Sequence, residues 1–339
     1  MNLLGPQQRK MQPPIYNAHP HLCRVPNTTL LRATYHTVSM GYYVSYFCYN
    51  DLGIWQKMQI GGIGGYGIEG HLRYPMVFTL PNVSDMVFIC NLIDTLPPPQ
   101  DPLGEIWGIL ILRKEGNTWE YTTPIMLEDA GDGGFLSLSA DFYYVNVNGI
   151  EKIPFLIAGI KRSRDLNNPW DSLICWFGLL GKTGNECYII LTPFPALIDY
   201  NASSYGISSV SVSKDAEGSF HIVYSYNGEI RYAVFYPDPE YPDYEHYLRT
   251  GPYVIYSQGC NSHPFVYAYG DRIYAIWTKQ DIEEIVRKWK SITDDPYWKC
   301  IQMSTLTMIT FLKLLIISLT GELWMAMQSP GRINPITGK

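Results

Sequence analysis

The chain is short of charge. Of its 339 residues only 17% are Asp, Glu, Lys or Arg, and they sum to a net charge of −6. A protein that holds nucleic acid through its phosphates needs a basic face, so this balance argues against a nucleic-acid partner. None of the seven cysteines (Cys23, Cys48, Cys90, Cys175, Cys187, Cys260 and Cys300) forms a Cys-x-x-Cys pair. Paired-thiolate zinc chemistry therefore has no basis, and no metal site and no cofactor is expected. Cys48, Cys90 and Cys175 lie inside apolar runs and read as small buried hydrophobes. The odd count still leaves room for one or two disulfides.

Long hydrophobic runs are also missing. The most apolar stretch, Leu306–Leu319, is broken by Lys313 and falls short of the roughly 20 residues a membrane-spanning helix needs. Membrane insertion is not expected. The segment Met1–Pro14 is polar, carries Arg9 and Lys10, and lacks the apolar centre of a secretory signal. The expectation is a protein that stays inside the cell, or a mature or truncated form. No Ser-His-Asp or Cys-His arrangement stands out.

What is abundant is aromatic. Phe, Trp and Tyr make up 14% of the chain, with 27 Tyr, alongside 29 Gly and 24 Pro. Tyr and β-branched residues favour pleated, half-buried surfaces, and Gly and Pro supply turns between them. Two phrases recur. Gly104-Glu105-Ile106-Trp107, Gly228-Glu229-Ile230-Arg231 and Gly321-Glu322-Leu323-Trp324 are three versions of one hairpin tip between apolar runs, and Asn-x-His-Pro occurs at Asn17–Pro20 and at Asn261–Pro264. Recurrence at tens of residues marks a repeat architecture.

The clearest repeat has strands at Ser208–Ser213, Ser219–Tyr226 and Glu229–Tyr236, with Asn227-Gly228 as a two-residue hairpin signal. The same order predicts strands at Leu30–His36 and Tyr42–Tyr49, then at Met86–Leu92 and Glu105–Arg113. It goes on to Phe135–Ser139, Pro154–Ile160 and Ser172–Leu179, and to His263–Tyr267, Arg272–Trp277 and Ile285–Trp289. Trp55, Trp119, Cys187, Tyr247 and Trp298 close successive units at separations of 64, 68, 60 and 51 residues. That spacing suits four-stranded sheets. Asp281–Lys290 also has a helical reading, with a capping-box pattern at Asp281 and Glu284; the repeat frame favours a strand. The apolar tail aligns with Ile222–Ala233, so Lys313–Ser318 and Glu322–Met327 become a sixth unit, compressed by the short link Lys299–Leu312.

The expectation is an all-β protein: a β-propeller of about six four-stranded blades, the last partial or closed by the N-terminal segment. Residues 1–16 would be an extension, 17–327 the propeller and 328–339 a tail, and the protein a monomer.

The closing turns resemble degenerate Asp-boxes, the Ser-x-Asp-x-Gly-x-x-Trp turns of sialidase-like (BNR-repeat) propellers. Asp51-Leu52-Gly53-Ile54-Trp55, Glu115-Gly116-Asn117-Thr118-Trp119 and Asp294-Asp295-Pro296-Tyr297-Trp298 carry the resemblance. It implies a six-bladed propeller and slightly favours an extracytoplasmic setting. The family's enzymes use an arginine cluster, a Tyr–Glu nucleophile pair and an acidic proton donor. Cys23-Arg24-Val25-Pro26 resembles the first-arginine motif, which makes Arg24 a weak catalytic candidate. Arg231 and Arg249 are available, but the rest of the set does not line up.

The main binding candidates are Asn17, His19, Asn261 and His263, which open equivalent strands and could hydrogen-bond a sugar or peptide. The alternative is a strand cap, with Pro ending pairing and Asn and His satisfying loop backbone groups. Gly62-x-Gly64-x-x-Gly67 matches a dinucleotide fingerprint but feeds no helix. Glu128–Gly134 clusters oxygens without the spacing of a calcium loop. The Tyr236–Tyr253 segment offers acids and Tyr rings to a ligand, or packs as an ordered loop. Three functions stay open: a non-catalytic module binding a glycan or protein ligand at the loop-rich face, a sialidase-like glycoside hydrolase or lyase, or a structural module of a larger assembly.

Overall fold

The computed structural model describes residues 16–39, 42–51, 53–61, 71–94, 105–121, 125–129, 133–163, 165, 167–184, 186–203, 206–258, 261–279, 284–291, 299–303, 328–329 and 332–333. The chain forms two compact units, Met1–Gly131 and Asp132–Lys339.

The first unit holds two sheets. One is the meander β1 (Tyr16–Arg24), β2 (Leu31–Ser39), β3 (Tyr42–Tyr49) and β4 (Gln56–Gly61). The other runs β5 (His71–Leu80), β6 (Val83–Asp94), β7 (Glu105–Glu115) and β8 (Thr118–Tyr121), with β9 (Ile125–Asp129) also pairing β7. Alternation puts Phe47 and Ile60 of the first sheet against Val77, Val87, Ile89, Leu110, Leu112 and Trp119 of the second.

The second unit repeats the plan three times. Its third sheet is β10 (Gly133–Phe142), β12 (Ile150–Ser163), β13 (Asp171–Thr183) and β14 (Glu186–Asn201), with the short β11 (Val145–Val147) beside β12. The fourth is β15 (Ile207–Lys214), β16 (Phe220–Tyr226), β17 (Glu229–Pro237) and β18 (Tyr247–Tyr256). The fifth is β19 (Asn261–Tyr269), β20 (Arg272–Lys279), β21 (Glu284–Ser291) and β22 (Lys299–Met303). A last pair joins β23 (Gln328–Ser329) to β24 (Arg332–Ile333). One apolar cluster joins the third sheet to the fourth, and another joins the fourth to the fifth. Within each unit, sheets consecutive in the chain thus bury a face against each other.

Every described element is a strand, so the protein is all-β, with the sheet-by-sheet organisation of a β-propeller. The Glu284–Ser291 segment is a strand, as the repeat frame requires. Trp119 lies in β8 and Cys187 in β14, Tyr247 opens β18, and Trp55 directly precedes β4. These four closing residues therefore mark the fourth strands of the first four sheets. Trp298, the Gly-rich segment 62–67, residues 1–15 and the tail run 304–327 lie outside the described residues.

Asn227 and Gly228 both have positive φ, 48° and 80°, which is the mirror-image turn that matches strand twist. Asn148 and Gly149 repeat it at 53° and 85° between β11 and β12.

All five first strands share a second device. Each carries one residue more than its partner strand, between Ala18 and His21, Arg73 and Met76, Phe135 and Ser137, Ile207 and Val210, and Ser262 and Phe265. Both Asn-x-His-Pro copies end in this bulge. Pro has no N–H to lose there, and a bulge tolerates the unpaired position.

Side chains of one first strand then staple the next. Val77 N–H donates to His21 Nδ1 (3.2 Å), Val212 N–H to Ser139 Oγ (2.9 Å), Lys214 N–H to Asp141 Oδ2 (2.9 Å), Val266 N–H to Ser211 Oγ and Ala268 N–H to Ser213 Oγ (both 3.1 Å). Cys23, Cys48, Cys90, Cys175 and Cys187 are not held in disulfides, and burial pushes the Cys175 thiol well above its usual range.

Candidate functional site

The β16–β17 hairpin concentrates the most chemistry among the described residues. Pairing sets Tyr224 opposite Arg231 and Tyr226 opposite Glu229, while β14 of the third sheet brings Asp199 and Tyr200 alongside. Arg231 Nη1 donates to Asp199 Oδ2 at 2.7 Å. Its Nε and Nη2 both reach Glu229 Oε2, at 2.9 and 2.8 Å. Tyr224 donates its hydroxyl to the same Asp199 oxygen at 2.8 Å, and Tyr226 donates to the Tyr200 carbonyl at 3.2 Å. The guanidinium carbon lies 3.6 Å from the Tyr226 ring centroid, a cation–π contact.

Burial works against the Arg231 charge, but its bonds to Glu229 and Asp199 outweigh burial and raise its pKa. Burial and the Asp199 hydrogen bond push the Tyr224 hydroxyl far above its usual range, so it stays a donor. The cluster is not sealed: Arg231 and Glu229 are half-buried, and Tyr200 is 51% exposed. A fixed cation, two carboxylate acceptors and an exposed ring are what a hydroxyl-rich, partly apolar ligand needs.

The residues singled out from sequence fare differently. The side chains of Asn17 and His19 lie outside the described residues; their backbone starts β1. Arg24 sits at the other end of that strand, where its Nε donates to the Thr28 carbonyl. It therefore serves a loop at the end of the sheet opposite Asn17. Asn261 is buried and used up within the scaffold. Its carboxamide donates to Gly228 O (2.5 Å) and Gln258 O (3.1 Å) and accepts from Trp277 Nε1 (3.1 Å). His263 takes φ 49° in the bulge, is exposed, and its Nδ1 meets the Ser262 hydroxyl at 3.0 Å. Because Asn261 is tied to the hairpin tip, His263 emerges at the hairpin's end of the sheet. Arg249 donates to the Leu197 carbonyl (2.7 Å).

The Tyr236–Tyr253 segment spans the end of β17, the connecting residues 238–246 and most of β18, and the connection is anchored to the third sheet. Lys152 Nζ bonds Glu245 Oε1 (2.7 Å) and the Asp243 carbonyl (2.8 Å), and Tyr244 stacks on Tyr143. Of the acidic turn 128–134, Glu128 and Asp129 belong to β9, and Gly133 and Gly134 to β10. Among the described residues no group of three His, Cys, Asp or Glu side chains could hold a metal, and no helix is long and apolar enough to cross a membrane. Asp199, Tyr200 and Tyr226 escaped sequence reasoning. The available signal was the alternation of β16, which puts Tyr224 and Tyr226 on one side.

Of the closing turns, Asp51–Trp55 and Glu115–Trp119 lie between third and fourth strands and diverge in packing, while Asp294–Trp298 is outside the described residues. Trp119 is buried against Phe47, whereas Trp55 is exposed. Asp51 pairs with Arg32 and Lys114.

No protein-family model and no curated protein matches the chain. Similar solved structures include Zg3597, a family 117 glycoside hydrolase of the marine bacterium Zobellia galactanivorans, at 10% identity and TM-score 0.39, covering 88% of this chain and 92% of that one. An alpha-L-arabinofuranosidase from Lactobacillus brevis has 10% identity and TM-score 0.39, with 85% and 90% covered. The WD40 domain of SCAP from fission yeast has 10% identity and TM-score 0.35, with 86% and 67% covered. Likeness at this level carries no information about activity.

Proposed function

We propose that the protein is a non-catalytic, six-sheet propeller module that binds a neutral glycan at the sheet end carrying the β16–β17 hairpin. The supporting observation is the Arg231 guanidinium, lying 3.6 Å from the Tyr226 ring and fixed by two carboxylates. In this reading Asp199, Glu229 and Arg231 exchange hydrogen bonds with sugar hydroxyls. Tyr200 offers a stacking face, and His263 contributes from the neighbouring strand. Two carboxylates against one guanidinium leave the cluster net negative, which disfavours acidic sugars.

Catalysis is not part of the proposal. Glycoside hydrolysis needs two carboxyl groups flanking the scissile bond, one with a proton to give the leaving oxygen. Here both carboxylates engage the same cation.

The test is a glycan array on the full chain, followed by calorimetry on the best hit. Tyr200→Ala and Arg231→Met are expected to weaken binding at least about tenfold, which corresponds to about 1.4 kcal/mol. Binding that survives both substitutions, or no bound glycan at all, would sink the reading.

A further inference from the structure

We infer that the first unit binds a small monovalent anion of the chloride class between its two sheets, at the end that carries their closing turns. Four side chains meet there. Arg32 lies near the start of β2, Asp51 follows β3, and Lys114 and Trp119 pair across the β7–β8 turn. Arg32 Nη2 bonds Asp51 Oδ1 at 2.7 Å, and Lys114 Nζ bonds Asp51 Oδ2 at 2.8 Å. The Arg32 guanidinium carbon lies 5.2 Å from the centre of the Trp119 ring, and Phe47 meets that ring edge-on at 5.4 Å.

Two shortfalls coincide in this group. The first is charge. One carboxylate serves two cations, which leaves one positive charge in excess. Glu115 and Glu120 do not make it up, because both pair with Arg113, at 2.5 and 3.9 Å. An under-neutralised charge in a buried setting is costly. The second is hydrogen bonding. Arg32 Nε and Trp119 Nε1 are buried, and among the described residues neither has an acceptor. Both groups can only donate.

What the site lacks is one acceptor that carries negative charge. A water would take the two hydrogen bonds and leave the excess charge in place. An anion between Arg32 and Trp119 supplies both. Arg32 is 1% exposed and Trp119 6%, so the anion must be small, and a single excess charge matches a monovalent ion better than sulfate or phosphate. Lys114, at 29% exposure, marks the side open to solvent. The site shares no residue with the β16–β17 cluster, so it stands or falls separately from glycan binding.

Urea denaturation of the full chain at fixed ionic strength, with sodium gluconate replaced stepwise by sodium chloride, tests it. The urea midpoint is expected to rise with chloride, since an ion bound only by the folded state stabilises that state. Lys114→Gln removes the excess charge at a partly exposed position, and Trp119→Phe removes one donor. Each should shrink the chloride-dependent rise at least about threefold, because weaker binding lowers the linked stabilisation. Crystals grown in sodium bromide should show an anomalous peak beside Arg32 Nε and Trp119 Nε1. A midpoint indifferent to chloride, a rise kept in full by either variant, or no bromide peak at that position would each overturn the inference.

Discussion

The Asn261 carboxamide crosses from the fifth sheet to the Gly228 carbonyl at the tip of the fourth sheet's hairpin, 2.5 Å away. The contact joins the two phrases that recur in the sequence. The Asn of Asn-x-His-Pro holds the Gly of Asn-Gly-Glu-Ile, and its backbone N–H also reaches that carbonyl, at 3.3 Å. Asn261→Ala removes the side-chain contacts to Gly228, Gln258 and Trp277 together, keeps the backbone bond to Gly228, and leaves the buried Trp277 indole N–H without its Asn261 acceptor. The expected loss is about 2–4 kcal/mol, read from urea denaturation. His263→Ala, at an exposed position, should change stability by under about 0.5 kcal/mol.

Asn91 presents the opposite case. It is fully buried on β6, and neither carboxamide atom has a hydrogen-bond partner. An unpaired buried amide is costly, so a similar-sized apolar side chain should do no harm. Asn91→Leu is expected to leave the urea midpoint unchanged or raise it, by up to about 2 kcal/mol. A loss above 1 kcal/mol would mean that Asn91 binds an ordered water.

Arg32 is 1% exposed and pairs with Asp51 at 2.7 Å, with Lys114 on the other carboxylate oxygen at 2.8 Å. Asp51→Asn strands the buried guanidinium, at an expected cost of about 3–5 kcal/mol. The double change Arg32→Met with Asp51→Leu should recover most of that loss, because replacing both members of a buried pair avoids the stranded charge. Urea denaturation of the three variants measures the recovery.

The strands were legible where local signals agreed. The Asn227-Gly228 turn, the alternation of β16 and the closing residues before or within the fourth strands all point the same way, and each sheet builds on contacts near in sequence. Asp281–Lys290 had conflicting local signals, and for its described part, from Glu284 on, pairing with β20 decided for a strand. The site was less legible because its parts come from different sheets. Asp199 is 32 residues from Arg231 in sequence, and no spacing rule links them. Asn261 looked like a ligand group for a related reason: a polar residue at a strand start gives no hint that its partners are Gly228 and Trp277. The bulge shared by the first strands was invisible because its residues differ, His263-Pro264 in one sheet and Ser208-Ser209 in another.

The β15–β16 turn is gripped from both sides, and its two grips should fail at opposite ends of the pH scale. Inside, Asp215 accepts from the Glu217 and Ser219 N–H groups and meets His221 Nε2 at 2.9 Å, while His221 Nδ1 meets the Tyr232 hydroxyl at 2.7 Å. Outside, Tyr143, Tyr244 and Tyr247 donate to the carbonyls of Ala216, Glu217 and Gly218. Burial alone would raise the Asp215 pKa, but the bonds from His221, Ser219 and Glu217 outweigh it and hold the carboxyl below its ordinary 3.8. The unfolded chain therefore takes up the proton first as pH falls, so this stability is complete above the ordinary value and is lost as pH drops through the folded one. Tyr143 runs the other way. Burial, with Tyr244 beside it, pushes its hydroxyl up to about 12, so its contribution is complete below pH 10 and lost as pH rises through about 12. Asp215→Asn should lower stability at pH 7 by about 1–3 kcal/mol and flatten the acid limb of a stability–pH curve. Tyr143→Phe should leave the acid limb intact and flatten only the alkaline one. Chemical denaturation from pH 3 to pH 12 reads both, and an acid limb unchanged in Asp215→Asn would remove the carboxylate from this role.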